Sequence, residues 1–364
     1  MRLLFFGTYD VRAHPRVEVL MEGFRALGDE VEECDVPLGI DTEMRVRMLR
    51  QPWLLVLLAV RIAAAWARLS WRVLRRRPRP DAVVVGYLGQ ADVLLARRLF
   101  PRTPIALDYL VSLSDTATDR QAGGSAVNRM LARADDAAVR ATDVVVVDTE
   151  EQRVTVRATP RDTTVVVSVG APQWWFSPPA PLEPAPLRVL FFGLYTPLQG
   201  APVIGRAIAL LADDERVAFT MVGTGQDRAA TEALARANPR VDWIDRVPPR
   251  ELPALAAAHH VNLGVFSTAP KGLRVVPNKV YQGAAAGCAT VTSDSPPQRT
   301  VLGSSALLVP PGDADALAET LRTLAGDPAR VDALRDAAYD LAVRSFRPDN
   351  LVAPLRARLL GGTA

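Results

Sequence analysis

The sequence predicts an α/β protein made of two Rossmann-like domains facing across a cleft. Short runs rich in Val, Leu, Ile and Phe alternate with longer helical patterns along the chain, as in parallel sheets covered by helices. The first turn of the chain occurs twice. RLLFFGTYD (2–10) and RVLFFGLYT (188–196) share six of nine residues and lie 186 apart, about half of the 364 residues. Between the copies, APQWWFSPPAPLEPAPL (171–187) places six prolines in seventeen residues. Proline removes a ladder donor and breaks helices, so this stretch reads as a linker.

In the first half, strands are expected near 2–6, 30–34, 82–86, 104–108, 144–148 and 164–169. In the second half they fall near 188–192, 217–222, 241–244, 261–265, 289–292 and 306–309. Continuous apolar runs such as VVVVD (144–148) suit strands covered on both faces. Each repeated turn reads as a first strand ending in a glycine turn before a helix, and two such halves would place chemistry at the carboxyl ends of both sheets. The expected division is residues 1–172, a linker at 173–187, a second domain at 188–345 and a C-terminal helix at 346–364. Such a helix can cross back onto the first domain.

Composition narrows the function classes. At 49% hydrophobic and 23% charged residues, the chain can fill two ordinary cores and does not read as disordered. Its two cysteines, Cys34 and Cys288, lie in apolar stretches and read as lone buried thiols. Three histidines form no metal-ligand cluster, so no metal is expected. The first residues run directly into a strand without a signal-peptide pattern, which implies a cytoplasmic protein. The net charge of +3 hides a local excess: ten arginines and no acidic residue occur between Arg45 and Arg79. Of 43 basic residues only Lys271 and Lys279 are lysines, eight residues apart.

Those two lysines lie in the most informative stretch, FSTAPKGLRVVPNKVYQGAAAGCATVTSD (266–294). It follows a strand, passes through a loop with Lys271 and Arg274, and enters a helix at Pro277, where proline is tolerated in the first turn. Asn278, Lys279 and Gln282 occupy the first turns. A helix N-terminus exposes free N–H groups and partial positive charge, and nearby cations add to it. Such a place can bind a diphosphate. The plainer reading is a packing helix with solvated lysines.

This stretch resembles the bacterial retaining glycosyltransferases of the sucrose-synthase and mannosyltransferase type, glycosyltransferase family 4-like. It is similar to a branch with PLQG or PLHG, here Pro197–Gly200, and K-x-x-R-V-[IV]-P-N-K-V-Y-Q, here Lys271–Gln282. Counterparts run through nearly the whole chain: FGTYD (6–10), GYLGQADVLLARRL (86–99), LDYLVSLSDTATDR (107–120), VVDTEE (146–151) and SVGA (168–171). The resemblance implies a GT-B fold with an acceptor-binding first domain and a second domain holding a nucleotide-diphosphate sugar. The sugar would pass to a hydroxyl acceptor (a glycan, lipid-linked or natural-product hydroxyl), with retention and with no metal or other cofactor.

The chain also departs from that family. Where the wider family has two glutamates separated by seven residues, this sequence has Arg274 and Gln282. Leu194 and Gln199 replace an Arg and a Lys after the first strand of the second domain, and Asp108 replaces a histidine. Phosphate neutralisation then falls to Lys271, Arg274 and Lys279. The expected catalytic residues are Asp108, Arg274 and Lys279. Gly193, Gly223, Gly225, Val247, Lys271, Asn278, Lys279 and Gln282 would contact the donor.

VGTGQ (222–226) ends a strand and opens a helix, with structural use as natural as donor contact. Val247 lies where the family lays a loop beside the nucleotide base. In the first half, Asp10 and His14 follow the first strand, and Ser112, Asp115, Asp119 and Arg120 follow the fourth. These are the acceptor-side candidates, with local loop capping as the alternative. Residues 51–80 read as an apolar helix with a basic tail, its uncharged run too short to span a bilayer. Arg61, Arg68, Arg72 and Arg75 fall along one face, and Trp53, Trp66 and Trp71 suit an interface. The helix can lie on the inner face of an anionic membrane as a peripheral contact, or pack on the first domain. No recognition fold accompanies the stripe, so nucleic acid is not an expected partner. Alternatives in other classes are a GT-B nucleotide-sugar 2-epimerase and a two-lobed binding protein. A dinucleotide oxidoreductase is disfavoured, because neither first turn has the G-x-G-x-x-G spacing.

Overall fold

The computed structural model describes all residues except 12–14, 40–51, 77, 116–124, 157–162 and 362–364, and places all twelve expected strands. The chain divides into two compact units, Met1–Ser168 with Leu351–Ala364, and Val169–Asn350.

The first unit holds β1 (Arg2–Gly7), β2 (Glu30–Asp35), β3 (Ala82–Val85), β4 (Ile105–Asp108), β5 (Val144–Val147) and β6 (Thr164–Val166). They form one parallel sheet in the order β2-β1-β3-β4-β5-β6. Its helices are α1 (Pro15–Ala26), α2 (Pro52–Leu74), α3 (Asp92–Leu99), α4 (Ser125–Arg140) and the short α5 (Glu150–Arg153). Both faces of the sheet are covered, as the uninterrupted apolar strands require. Alternate side chains of β1 divide between two cores. Leu3 and Phe5 pack with Val17, Leu20 and Phe24 of α1, while Leu4 and Phe6 pack with Leu69 and Val73 of α2 and Ala138 of α4.

The second unit holds β7 (Leu187–Phe192), β8 (Val217–Val222), β9 (Val241–Ile244), β10 (Val261–Leu263), β11 (Ala289–Ser293) and β12 (Ala306–Val309). The sheet is parallel, in the order β12-β11-β10-β7-β8-β9, the doubly wound dinucleotide-binding order. Its helices are α6 (Ala201–Leu210), α7 (Arg228–Ala235), α8 (Leu252–Ala257), α9 (Asn278–Ala285), α10 (Pro296–Leu302), α11 (Ala314–Ala325) and α12 (Pro328–Leu341). Strand order reverses between β7 and β10. In doubly wound sheets such a reversal is where ligands bind, outside the carboxyl ends of the strands.

The last helix, α13 (Pro348–Leu359), contributes Leu351, Val352, Leu355 and Leu359 to the first unit's core beside Leu3 and Phe5. Arg356 Nε also donates to Asp29 Oδ2 at 2.7 Å.

The proline-rich stretch differs from the sequence expectation. It belongs to the second unit and is tied to it along its length. Trp175 is buried and stacks on Phe192 with centroids 5.6 Å apart, and the Ala180 carbonyl accepts from Arg335 Nη2 (2.9 Å). The Glu183 carbonyl lies 3.0 Å from His260 Nε2. Proline leaves carbonyls without ladder partners, and side chains of this unit take them up. Cys34 and Cys288 are free and buried. Among the described residues no helix is long and apolar enough to cross a membrane.

Candidate functional site

In the second unit the sequence-predicted residues gather at the carboxyl edge of the sheet. After β7 the chain turns at Gly193 with φ +141°, and after β8 at Gly223 with φ +120°, a region that L side chains rarely adopt. A side chain at Gly223 would also collide with the Gly193 carbonyl. The two loops continue the strand pairing: Gly193 N–H donates to Val222 O (3.1 Å) and Tyr195 N–H to Thr224 O (3.0 Å). Gly225 lies against the Tyr195 backbone.

The turn Pro197–Gln199 joins this edge to the loop after β10. Its Gln199 carbonyl accepts from Phe266 N–H at 3.0 Å. Gly200 and Gly272 both abut Ser267, so Pro197–Gly200 and Lys271–Arg274, far apart in sequence, meet in space. Lys271 and Arg274 are half-buried at the ends of the turn Gly272–Arg274, and Arg274 Nε donates to Pro270 O (3.2 Å).

α9 begins at Asn278, with Pro277 one residue before it rather than inside its first turn. No side chain caps its first N–H groups. Asn262 of β10 donates to the Lys279 carbonyl (2.9 Å), and Gly283 makes room for the Asn262 side chain. This contact fixes α9 against the strand that flanks the reversal. It also turns Lys279 and Gln282 inward, both buried.

Lys279 is 5% exposed. Its Nζ sits 3.7 Å from the Phe191 ring centre, and a Cβ at Gly193 would lie 3.1 Å from it. Among the described residues it has no hydrogen-bond partner. Burial pushes the amine well below its usual range. A buried amine facing a glycine turn, beside an uncapped helix N-terminus, can neutralise an anionic group that enters there. Asn278 is half-buried at the first position of the same helix. Val247 is half-buried in the loop after β9.

In the first unit Asp108 ends β4 and is buried. Arg16 of α1 donates from Nε to Asp108 Oδ1 (2.7 Å) and from Nη1 to Ser168 O (3.1 Å). Burial raises the Asp108 carboxyl while Arg16 opposes the rise. Asp148, just after β5, is buried too and is pushed up to about 6, by burial first, with Arg16 pulling against it and Asp108 adding to it. Asp108, an expected catalytic residue, accepts from Arg16 of α1 through one oxygen, while its Oδ2 has no hydrogen-bond partner among the described residues. Ser112 ties its loop to α4: its Oγ donates to Asp135 Oδ2 (2.9 Å) and accepts from Asp115 N–H (3.1 Å). Asp115 is exposed, and Asp10 is half-buried between β1 and α1. His14, Asp119 and Arg120 lie outside the described residues.

Sequence reading missed Arg16, Asp148, Asp92 and Phe191. Asp148 carried a usable signal, since it ends an apolar strand as Asp108 does. Asp92 accepts from Thr8 N–H (2.7 Å), Thr8 Oγ1 (2.8 Å) and Trp66 Nε1 (2.8 Å), which pins α2 to the first unit. Trp66, expected at an interface, is thus turned inward. Ala65, Leu69 and Val73 share its packed face, whereas Val60 (61%), Trp71 (56%) and Leu74 (72%) are exposed. Arg75 stacks over Trp71 at 4.0 Å, and Arg61, Arg68 and Arg72 are exposed nearby on the helix. The Trp53 side chain lies outside the described residues.

Residues 186–327 match the family model described as Glycosyl transferases group 1. A comparison with curated protein sequences gives no significant match. Among solved structures, the chain is similar to Anabaena HepE in complex with UDP, with TM-score 0.69 and 15% identity over 99% of this chain and 100% of that one. It is also similar to sucrose-phosphate synthase from Thermosynechococcus elongatus, with TM-score 0.72 and 15% identity over 99% of each chain. The N-terminal domain of Candida albicans trehalose-6-phosphate phosphatase gives 0.66 and 12% over 99% and 96%. At such identities the likeness is one of fold. Residues 186–327 are thus similar to glycosyl transferases group 1, within a chain whose two sheet-and-helix units have the GT-B fold.

Proposed function

We propose that this protein transfers a sugar from a nucleotide-diphosphate donor to a hydroxyl acceptor, with retention at the sugar carbon. The observation that carries this reading is Lys279, a buried amine with no hydrogen-bond acceptor among the described residues, at the strand-order reversal of the stretch similar to glycosyl transferases group 1. A diphosphate at Gly193 would meet it, and the first N–H groups of α9 would add donors. Lys271 and Arg274 extend the positive edge, Gly223 and Gly225 let the backbone approach the ligand, Val247 borders the base, and Gln282 meets the ribose. In the transition state negative charge grows on the departing diphosphate, and fixed cations and N–H groups stabilise it more than they stabilise the bound substrate. Solved relatives of this fold hold UDP and UDP-glucose, which makes uridine nucleotides the first to try. The acceptor falls to the first unit, with Asp10, Ser112 and Asp115 as its candidate polar groups. The outward face of α2 adds a peripheral contact with an anionic membrane.

A thermal-shift panel of UDP, GDP, ADP and dTDP with their common sugars tests the reading. A nucleotide that binds the native state raises the melting temperature by mass action, by an amount that grows with its concentration. No shift with any member would sink it.

A further inference from the structure

We propose that donor binding is coupled to proton uptake: Lys279 holds its amine neutral in the empty site and becomes an ammonium ion when the diphosphate arrives. This inference rests on the donor-site reading above and adds a charge state to it. From β7 the amine faces Phe191 and Gly193, neither of which titrates. The aromatic face offers a weak attraction for a cation, and among the described residues Nζ has no acceptor at all. The amine also sits in the first turn of α9, whose uncapped N–H groups present partial positive charge. The charged side chains leading into that helix, Lys271 and Arg274, have the same sign. No carboxylate of the described residues acts on the amine, and burial alone depresses it.

Apart from that ring face, the surroundings therefore disfavour the ammonium until an anion enters, and a diphosphate reverses that balance. The proton comes from solvent to Nζ as the donor binds, and returns when the nucleoside diphosphate leaves. One N–H bond forms at Nζ as the proton's bond to its solvent or buffer donor breaks, and no bond of the nucleotide sugar changes in the step. If the amine's free value lies below its bound value, affinity is full at low pH. It then falls as pH rises through the interval between the two values, by about tenfold per unit.

Calorimetry on the full chain tests this with UDP-glucose, GDP-mannose, ADP-glucose and dTDP-glucose. Their diphosphates are esterified at both ends, so the ligands take up no proton themselves near neutrality. Titrations run from about pH 7 to about pH 9 in buffers of low and high ionisation enthalpy. The expected result is an uptake of about one proton per site. It should vanish in Lys279→Arg, which keeps a permanent charge and a flat affinity across the range. Binding by the wild type with no buffer-dependent heat would overturn the coupling and leave the donor site standing. Uptake that persists in Lys279→Met would overturn it as well, by placing the proton elsewhere. If no nucleotide sugar binds the wild type, the donor-site reading fails and takes this inference with it.

Discussion

Two buried residues set opposite pH responses. The Lys279 amine is pushed down by burial, so the unfolded chain holds that proton to about pH 10 and the folded chain releases it earlier. Over that window the unfolded state binds more protons, and stability rises with pH. Lys279→Met removes a buried polar group that has no hydrogen-bond partner among the described residues. It should raise stability by about 1–3 kcal/mol in denaturant melts while abolishing tight nucleotide-sugar binding. A destabilised variant that still binds would refute the assignment. Asp148 behaves in the other sense. Its folded value of about 6 lies above its unfolded value of about 4, so its contribution is fullest below pH 4 and is lost as pH rises through 6. Asp148→Asn should cancel that loss, gaining at most about 2–3 kcal/mol over wild type near pH 7 and nothing near pH 4. Unfolding curves at the two pH values decide it. A gain that does not depend on pH would point to packing instead.

At the scale of elements, the two sides of α2 differ, so packing on the first domain leaves its other side available for surface contact. Ala65, Leu69 and Val73 recur at four-residue spacing and face the sheet, while Val60, Trp71 and Leu74 face outward beside the arginines. The arginine spacing was legible. The inward turn of Trp66 was not, because its partner Asp92 lies on another helix. If the outer side meets lipid, wild-type protein should float with anionic vesicles and not with neutral ones, and Trp71→Glu with Leu74→Glu should abolish flotation without changing the melting temperature. Equal absence from both vesicle types would leave the helix a packing element only. The turn at Gly200 is a second element-level case. With φ +65° and a would-be Cβ 2.5 Å from Ser267 N, Gly200→Ala should separate the Pro197–Gly200 turn from the Ser267 loop. A cost of about 1–3 kcal/mol in chemical unfolding is expected.

For the whole molecule, strand positions were readable because hydrophobic runs report burial on both faces of a parallel sheet, wherever the strand lies. The pairing order and the partners of charged groups were not readable. They depend on contacts between distant residues, as Arg16 with Asp108 and Asn262 with α9 illustrate. The C-terminal helix shows the same limit. Its sequence predicts a short helix, and only its neighbours reveal how much of the first unit's core it completes. Leu355 is fully buried there, so Leu355→Ala should lower the first unit's stability by about 2–4 kcal/mol. Hydrogen exchange should locate the loss in β1 and α1, with β7 and β8 protected as before. Uniform loss across both units would contradict the division.

That division has a consequence for biosynthesis. All of the second unit is translated between the two pieces of the first. Ordinarily an N-terminal domain folds while the rest of its chain is still being made. Here the nascent first unit must wait with Leu3, Phe5 and Phe24 lacking the side chains of residues 351–359 that cover them, while the later unit already has every strand of its sheet. The order of maturation is therefore inverted relative to the order of synthesis. The interval in which apolar surface stands open to chaperones and aggregation lasts as long as it takes the ribosome to make the entire second unit.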